Sequence, residues 1–404
     1  MEASKAYSDI ENASERIKGH VIRTPLLRAE KLSALTGVDL WLKLECMQYT
    51  GSFKQRGALN KLLQLDDDAK SRGVIAASAG NHSQGVSYHG SKLGIRVLIV
   101  MAETTPDVKI RATKAAGGEV ILFGENFDEA NAHAKKLAKE QSLTFLHPFD
   151  DHDVIAGQGT IALEMLEDGP SFDGFIIPIG GGGLIAGMAS AIKHKHPDCE
   201  IIGVQSSLFP SMVNALDGGA RATAGNTLAE GIAVKESGQL TRNFVRDLVD
   251  DIMLVDERKL ERALSMIMNE QKILVEGAGA AGLAAILSNP DHFKGRTIGT
   301  VLCGGNIDQR LLSMILMRDL ARSGRLARLR VQLLDMPGQL VRVATLVSDG
   351  GGNVIDVGHH RTYSDLPAKM TFIDLTIDTQ GQDHLDRIIK GLQKEGYEVE
   401  IASY

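Results

Sequence analysis

Between residues 73 and 302, short apolar runs alternate with stretches of helical length. This alternation limits the available folds more than any other feature of the chain. Strand candidates at 73–78, 95–101, 119–123 and 145–147 are separated by helical stretches at 81–92, 106–116 and 127–141. A second series has a helix at 157–167, a strand at 174–179, a helix at 184–195 and a strand at 200–205. Helices at 257–271 and 278–287 and a strand at 297–302 complete it. Parallel strands need a crossover, usually a helix, so this spacing predicts parallel sheets with helices on both faces. A short helix at 8–18 and a strand at 40–45 precede the series. The expected architecture is α/β: two doubly wound lobes with a cleft between them, the smaller at about 48–146.

A chain of 404 residues is too long for one core and suggests two or three domains. After residue 302 the rhythm changes. A helix at 307–323 ends at Ser323-Gly324. It is followed by a strand at 326–334, a helix from Pro337-Gly338 to about 348, strands at 354–362 and 369–377, a helix at 382–395 and a strand at 397–402. That β-α-β-β-α-β order describes a compact ferredoxin-like unit. The domain boundary is expected near 323–326, giving domains at 1–322 and 326–404.

Charge and composition exclude several classes. The formal net charge is -7, and no basic block interleaves with aromatics, so a nucleic-acid footprint is absent. No run reaches the roughly 18–20 apolar residues of a membrane span. The start, Met1-Glu2-Ala3-Ser4-Lys5, lacks the apolar core of a signal peptide. Cys46, Cys199 and Cys303 are isolated and odd in number, which suits a reducing cytoplasm.

Four segments carry chemistry. Gly180, Gly181, Gly182 and Gly183 stand between a strand and a helix, where backbone N–H groups can cradle a phosphate. A dinucleotide-binding turn is the rival, since Gly181, Gly183 and Ala186 fit G-x-G-x-x-[GA]. It wants an acid after the next strand, where this chain has Gln205. Lys54, in Gly51-Ser52-Phe53-Lys54-Gln55-Arg56-Gly57-Ala58, is either a surface charge or an imine-forming amine held in a rigid setting. Ser78-Ala79-Gly80-Asn81-His82 opens a helix whose N-terminus attracts a carboxylate or phosphate, or is merely a cap. Cys303, before Gly304-Gly305-Asn306, ends a strand and points into a ligand crevice. No histidine signature adjoins it, so a neutral thiol beside a pyridine nitrogen is a better use than a nucleophile.

These motifs, in this order, resemble the fold-type II pyridoxal-phosphate enzymes over about residues 5–320. Within that group they resemble the threonine dehydratase (threonine ammonia-lyase) family. The tail resembles an ACT domain, a small regulatory module that binds amino acids, through Asp335-Met336-Pro337-Gly338 and Gly352-Asn353-Val354-Ile355. The resemblance implies pyridoxal 5'-phosphate as cofactor, with Lys54 carrying it as an imine and then removing the α-proton of threonine. Phe53 would pack beside the ring, and Asn81 would contact its hydroxyl. Gly180, Gly181, Gly182, Gly183 and Leu184 would bind the phosphate, and Cys303 would lie beside the ring nitrogen. Ser78, Ala79, Gly80, Asn81 and His82 would clasp the substrate carboxylate. Glu276 would lie near ring or substrate, or be only a helix N-terminal charge. The products would be 2-oxobutanoate and ammonia, with serine as a slower substrate.

Alternatives are a serine dehydratase, a serine racemase-like enzyme and a noncatalytic amino-acid sensor. A racemase of this fold needs a second acid–base group where this chain has Ala79, and the intact Lys54 speaks against the sensor. Relatives that hold a divalent cation place an acid where Gln205 stands, so no metal site is expected in that loop. His359 and His360 are adjacent on a strand and point to opposite faces, which makes them a poor chelating pair. The ACT-like unit implies pairing between subunits as a homodimer or homotetramer, with an amino-acid or nucleotide effector at the seam. Asp335, Pro337, Gly338, Asn353, Val354 and Ile355 would line it. Isoleucine synthesis and threonine catabolism both stay open, and the single ACT-like unit leans towards catabolism.

Overall fold

The two parallel series sort into two sheets in the first unit of the computed structural model, which comprises residues 1–307. The structure describes residues 2–360, 367 and 369–402. In chain order the strands of this unit are β1 (Leu26–Arg28), β2 (Asp39–Lys43), β3 (Val74–Ala77), β4 (Val97–Met101) and β5 (Glu119–Leu122). Then come β6 (Thr144–Phe145), β7 (Gly174–Pro178), β8 (Glu200–Ser206), β9 (Asp251–Val255) and β10 (Thr297–Val301). The smaller sheet has the order β5-β4-β3-β6 and is parallel throughout. The larger has the order β1-β2-β10-β7-β8-β9 and is parallel except for β1.

Burial explains why these strands read as continuous apolar runs. Every residue of β3, β4 and β7 is buried. On one face of the smaller sheet, Val74, Ala76, Val97 and Ile99 pack with Ala58, Leu62 and Val86 from the helices Lys54–Leu63 and Asn81–Lys92. On the other, Ile75, Ala77, Leu98 and Val100 pack with Ala130 and Ala134 from the helix Phe127–Glu140. Successive side chains of a strand leave on opposite faces, so each strand serves both layers.

The helix Lys54–Leu63 and the element pair Gln239–Leu248 and β9 are absent from the sequence reading. Gln55, Arg56 and Asn60 are buried polar side chains of the first helix, so its apolar period is broken. Close glycine contacts hold this helix in place. A Cβ on Gly57 would lie 2.6 Å from the Val154 carbonyl oxygen, and one on Gly157 would lie 2.6 Å from the Gly57 Cα. A Cβ on Gly85 would lie 3.1 Å from the Gln55 Cα. The helix is thus clamped between the helices Asn81–Lys92 and His152–Asp168.

The second unit, residues 308–404, begins with the helix Gln309–Arg322. The boundary between units precedes that helix, whereas the boundary read from sequence follows it. Strands β11 (Leu326–Leu334), β12 (Asn353–His360), β13 (Met370–Asp378) and β14 (Glu398–Ile401) form an antiparallel sheet in the order β12-β13-β11-β14. With the helices Gln339–Asp349 and Gln382–Lys394 this is the βαββαβ arrangement. Leu329, Val331, Val343, Val347, Ile373, Leu375, Leu385 and Ile388 form its core. The last expected residues of β12, 361 and 362, lie outside the described residues.

Candidate active site

Lys54 is the first residue of its helix and sits where the two lobes of the first unit meet. The segment before it is pinned to the larger sheet. Ser52 forms an isolated antiparallel bridge with Gly304, and the Phe53 N–H donates to the Cys303 carbonyl at 3.1 Å. Phe53 is buried and lies 5.3 Å, ring centroid to Nζ, from the lysine amine. Lys54 Nζ donates to the Pro148 carbonyl at 2.9 Å. The side chain is half-buried, and desolvation draws its pKa down to about 8, against the pull of Cys303 and Glu276. An amine with that pKa is partly neutral near physiological pH and therefore nucleophilic.

Phe149 links this amine to the glycine turn. Its ring lies 6.0 Å from Lys54 Nζ. A Cβ on Gly181 would lie 2.3 Å from that ring, and one on Gly183 would lie 3.0 Å from the Phe149 backbone. Only glycine fits this approach. Gly182 has φ +101° and caps the helix Gly183–Lys195, whose first N–H groups have no partner within the helix. The Gly181 carbonyl is taken up by the Gly238 N–H at 3.2 Å and the Thr241 hydroxyl at 2.6 Å. Next to Gly238, the Ser237 hydroxyl is buried without a protein partner. A turn of N–H groups flanked by an orphaned hydroxyl fits a phosphate. Asp150 stays clear of that role, since its carboxylate accepts from the Gln239, Leu240 and Thr241 N–H groups.

Asn81 begins its helix after Gly80. Nothing lies within 4 Å of a Cβ built on Gly80, so the loop borders open space. Gly80 N–H donates to Ser78 Oγ at 3.2 Å, and Ala79 packs on the smaller lobe's core. The His82 ring turns inward. Its Nε2 lies 3.1 Å from the Leu146 carbonyl, and burial draws its pKa down to about 3. Its Nδ1 is buried without a protein partner, and its backbone N–H lies in the first turn of the helix beside the loop.

Asn81 Nδ2 donates to Glu276 Oε1 at 2.9 Å, and Asn81 Oδ1 accepts from Asn306 Nδ2 at 2.8 Å. Desolvation pushes Glu276 up to about 7, although the Asn81 amide opposes the shift. Cys303 is buried, and desolvation raises its thiol well above the ordinary range, so it is neutral at physiological pH. The Ser52 hydroxyl, beside it in the chain pairing, is also buried without a protein partner. Lys54, Phe53, Asn81, Glu276, Cys303 and the glycine turn thus share one cleft. These are the groups that can hold a phosphorylated, aldehyde-bearing ring.

The sequence reading assigns no role to Asn306, Ser237 or Phe149. Asn306 lies inside the Cys303 motif and only the fold shows what it meets. The Arg56 guanidinium, two residues from Lys54, is fully buried. It donates to both oxygens of Glu45 at 2.8 Å and to Glu164 at 2.6 and 2.8 Å. Lys43 completes the cluster at 2.6 Å from Glu164. Two positive and two negative groups balance there. Gln205 is also buried and fully engaged. Its Nε2 donates to Ser211 Oγ at 3.3 Å, and its Oε1 accepts from the Met212 and Val213 N–H groups at 3.0 and 3.2 Å. Among the described residues no three His, Cys, Asp or Glu side chains gather as a metal site, and no helix is long and apolar enough to cross a membrane.

In the second unit Asp335, Pro337, Gly338, Asn353 and Ile355 are exposed, and Val354 is half-buried. They do not converge within one copy. Asn353 pairs with Asp378, which pairs with Leu326 at the start of β11, whereas Asp335 follows the end of β11 at Leu334. Eight residue steps of strand, roughly 26 Å, separate the two groups.

Known proteins resemble this chain over much of its length. A family model described as pyridoxal-phosphate dependent enzyme matches residues 17–304. The chain is similar to L-threonine ammonia-lyase of Geobacter sulfurreducens, at 42% identity over 398 residues, 98% of this chain and 99% of that protein. Among solved structures, the processed form of threonine deaminase isoform 2 from Solanum lycopersicum superposes with a TM-score of 0.74 at 37% identity, covering 78% of this chain and 87% of that one. Maize serine racemase superposes with a TM-score of 0.73 at 34% identity, covering 78% of this chain and 98% of its own.

Proposed function

The chain belongs to the pyridoxal-phosphate-dependent enzymes, and from that premise we propose that it converts L-threonine to 2-oxobutanoate and ammonia, with L-serine as a secondary substrate. The observation that carries the reading is the half-buried Lys54 amine, drawn down to about 8 and sharing a cleft with the glycine turn. Bound there, pyridoxal phosphate supplies an electron sink for a carbanion at the substrate α-carbon.

The protein's own groups supply position and proton movement. The turn at Gly180, Gly181, Gly182, Gly183 and Leu184, with the Ser237 hydroxyl beside it, binds the phosphate. Phe53 bounds the ring, and Asn81 holds its oxygen. Cys303 would offer the ring nitrogen a neutral thiol, which would not fix a proton there as a carboxylate would. Lys54 would hold the cofactor through its amine and, when that amine is free, would take the substrate α-proton. The N–H groups at Asn81 and His82 receive the substrate carboxylate, in the open space beside Gly80, whose own N–H goes to Ser78 Oγ.

Racemisation is the second reading, favoured by the likeness to maize serine racemase. It needs an acid–base group on the face of Cα opposite Lys54. Ala79 has none to offer, so a lyase is preferred over a racemase. The deciding experiment supplies L-threonine and L-serine to the holoenzyme and follows keto acid and ammonia alongside chiral analysis. Keto acid from threonine, with no D-amino acid, is the expected result. D-serine in excess over pyruvate would favour racemisation, and no product from threonine would sink the lyase reading.

The second unit is assigned as the regulatory domain and the first as the catalytic domain. The antiparallel sheet has open edges at β12 and β14. Pairing of two copies would cover one edge and bring the Asp335–Gly338 end of one sheet near the Asn353–Ile355 end of the other. An amino-acid or nucleotide effector would bind there, in a homodimer or homotetramer. Three free cysteines suit a reducing cytoplasm.

A further inference from the structure

We infer that Asn306 and Glu276 act together as positioning residues that fix which end of the Asn81 amide faces the ligand, so that Asn81 meets the cofactor oxygen as a donor. This rests on the pyridoxal-phosphate reading of the cleft.

The Thr50 carbonyl can only accept. Asn306 Nδ2 donates to it at 2.8 Å, and this fixes the orientation of the Asn306 amide. The second hydrogen of that nitrogen goes to Asn81 Oδ1 at 2.8 Å. The Asn81 nitrogen must then turn the other way, where it meets Glu276 Oε1 at 2.9 Å. The Asn306 backbone N–H also faces the Glu276 carboxyl group closely enough to oppose the rise of its pKa. Turning Asn81 over would set its nitrogen against that of Asn306, two donors with no acceptor between them. Glu276 Oε1 can accept whether or not the carboxyl is protonated, so the orientation survives titration.

Steric contacts hold these side chains tight. Gly51 has φ +70°, and a Cβ on it would lie 2.5 Å from Asn306 Oδ1. A Cβ on Gly304 would lie 2.5 Å from Glu276 Oε1 and 3.1 Å from Asn81 Nδ2. With Oδ1 engaged, Asn81 has one amide hydrogen left to give. A ligand oxygen that meets it must accept, which favours an ionised phenolic oxygen over a hydroxyl seeking an acceptor.

The test uses the full chain, its apoenzyme reconstituted with pyridoxal 5'-phosphate, and reads the absorption spectrum, the apparent Kd and Tm. In Asn306→Asp the donor becomes an acceptor, and Asn81 is drawn to turn its nitrogen towards it. The expected result is an apparent Kd raised about tenfold, the loss of one charge-assisted hydrogen bond. The long-wavelength band should shift to shorter wavelength as the phenolic oxygen regains its proton. Glu276→Gln should keep the band, since a glutamine oxygen can still accept from Asn81. The double variant Asn306→Asp with Glu276→Gln separates orientation from folding. Its glutamine nitrogen can donate to the turned Asn81 oxygen, so Tm should recover in part while the band stays shifted. An Asn306→Asp protein with unchanged band and Kd would overturn the inference and leave the cofactor reading standing, as would a double variant that regains the band. A wild-type protein with no band dependent on Lys54 would overturn both.

Discussion

At the scale of single residues, the cleft depends on how much water each group has lost. A lysine in water is almost wholly charged at neutral pH, whereas Lys54 is drawn down to about 8. Uptake of pyridoxal phosphate by the apoenzyme, followed by stopped-flow absorbance, should accelerate with pH through about 8 and then level off, rather than climb to beyond 10. Lys54→Ala should lose the visible band and the keto-acid product together. Glu276 is raised from 4.5 to about 7, so the folded state binds more protons than the unfolded state between those values. Stability from this group is present at low pH and is lost as pH rises towards about 7. The difference in Tm between wild type and Glu276→Gln should therefore change between pH 5 and 7 and stay flat above. Arg56 holds the lysine's helix through Glu45 and Glu164. Arg56→Met leaves Glu164 with Lys43 but strands the buried Glu45 carboxylate, and should cost about 3–5 kcal/mol in urea unfolding. The sequence singles out Lys54, Asn81 and Cys303 as candidates because their neighbours form recognisable motifs, and the fold brings them into one cleft. It showed nothing of Arg56 as an anchor, because burial of a charge depends on partners as far away as position 164.

At the scale of elements, most strands and helices could be read because their surfaces are simple. The central strands of the smaller sheet, β3 and β4, are apolar on both faces, and the helix Asn81–Lys92 has the bounds read from sequence. The helix Lys54–Leu63 was hidden by its buried polar residues and by Gly57 in its middle. That glycine serves packing, since its missing side chain lets the Val154 carbonyl approach. Gly57→Ala should lower stability by about 1–3 kcal/mol and weaken cofactor retention by displacing the element that carries Lys54. Gly182 is different, because its backbone is left-handed at φ +101°. Gly182→Ala adds about 1–2 kcal/mol of backbone strain and places a Cβ 2.7 Å from Thr241 Cβ. Fluorescence titration with pyridoxal phosphate should show weaker binding.

At the scale of the whole molecule, the chain joins two units with separable expectations. Maize serine racemase uses 98% of its own length to match 78% of this chain, so the catalytic architecture occurs without the remaining part. Removing residues 308–404 should leave conversion of threonine measurable while abolishing any response to isoleucine, valine or nucleotides. A response that survives the truncation would return control to the first unit. The βαββαβ order was readable from turn residues and periods, but the separation of the proposed effector residues was not, since register is a property of paired strands. That separation at opposite ends of β11 has a consequence for life at low abundance. A binding place assembled from two polypeptides comes in symmetry-related twins, and it exists only while the partners stay together. Under the proposed pairing, an organism that makes little of this protein would hold much of it unpaired and without that place, so the amount synthesised would itself tune any response to an effector.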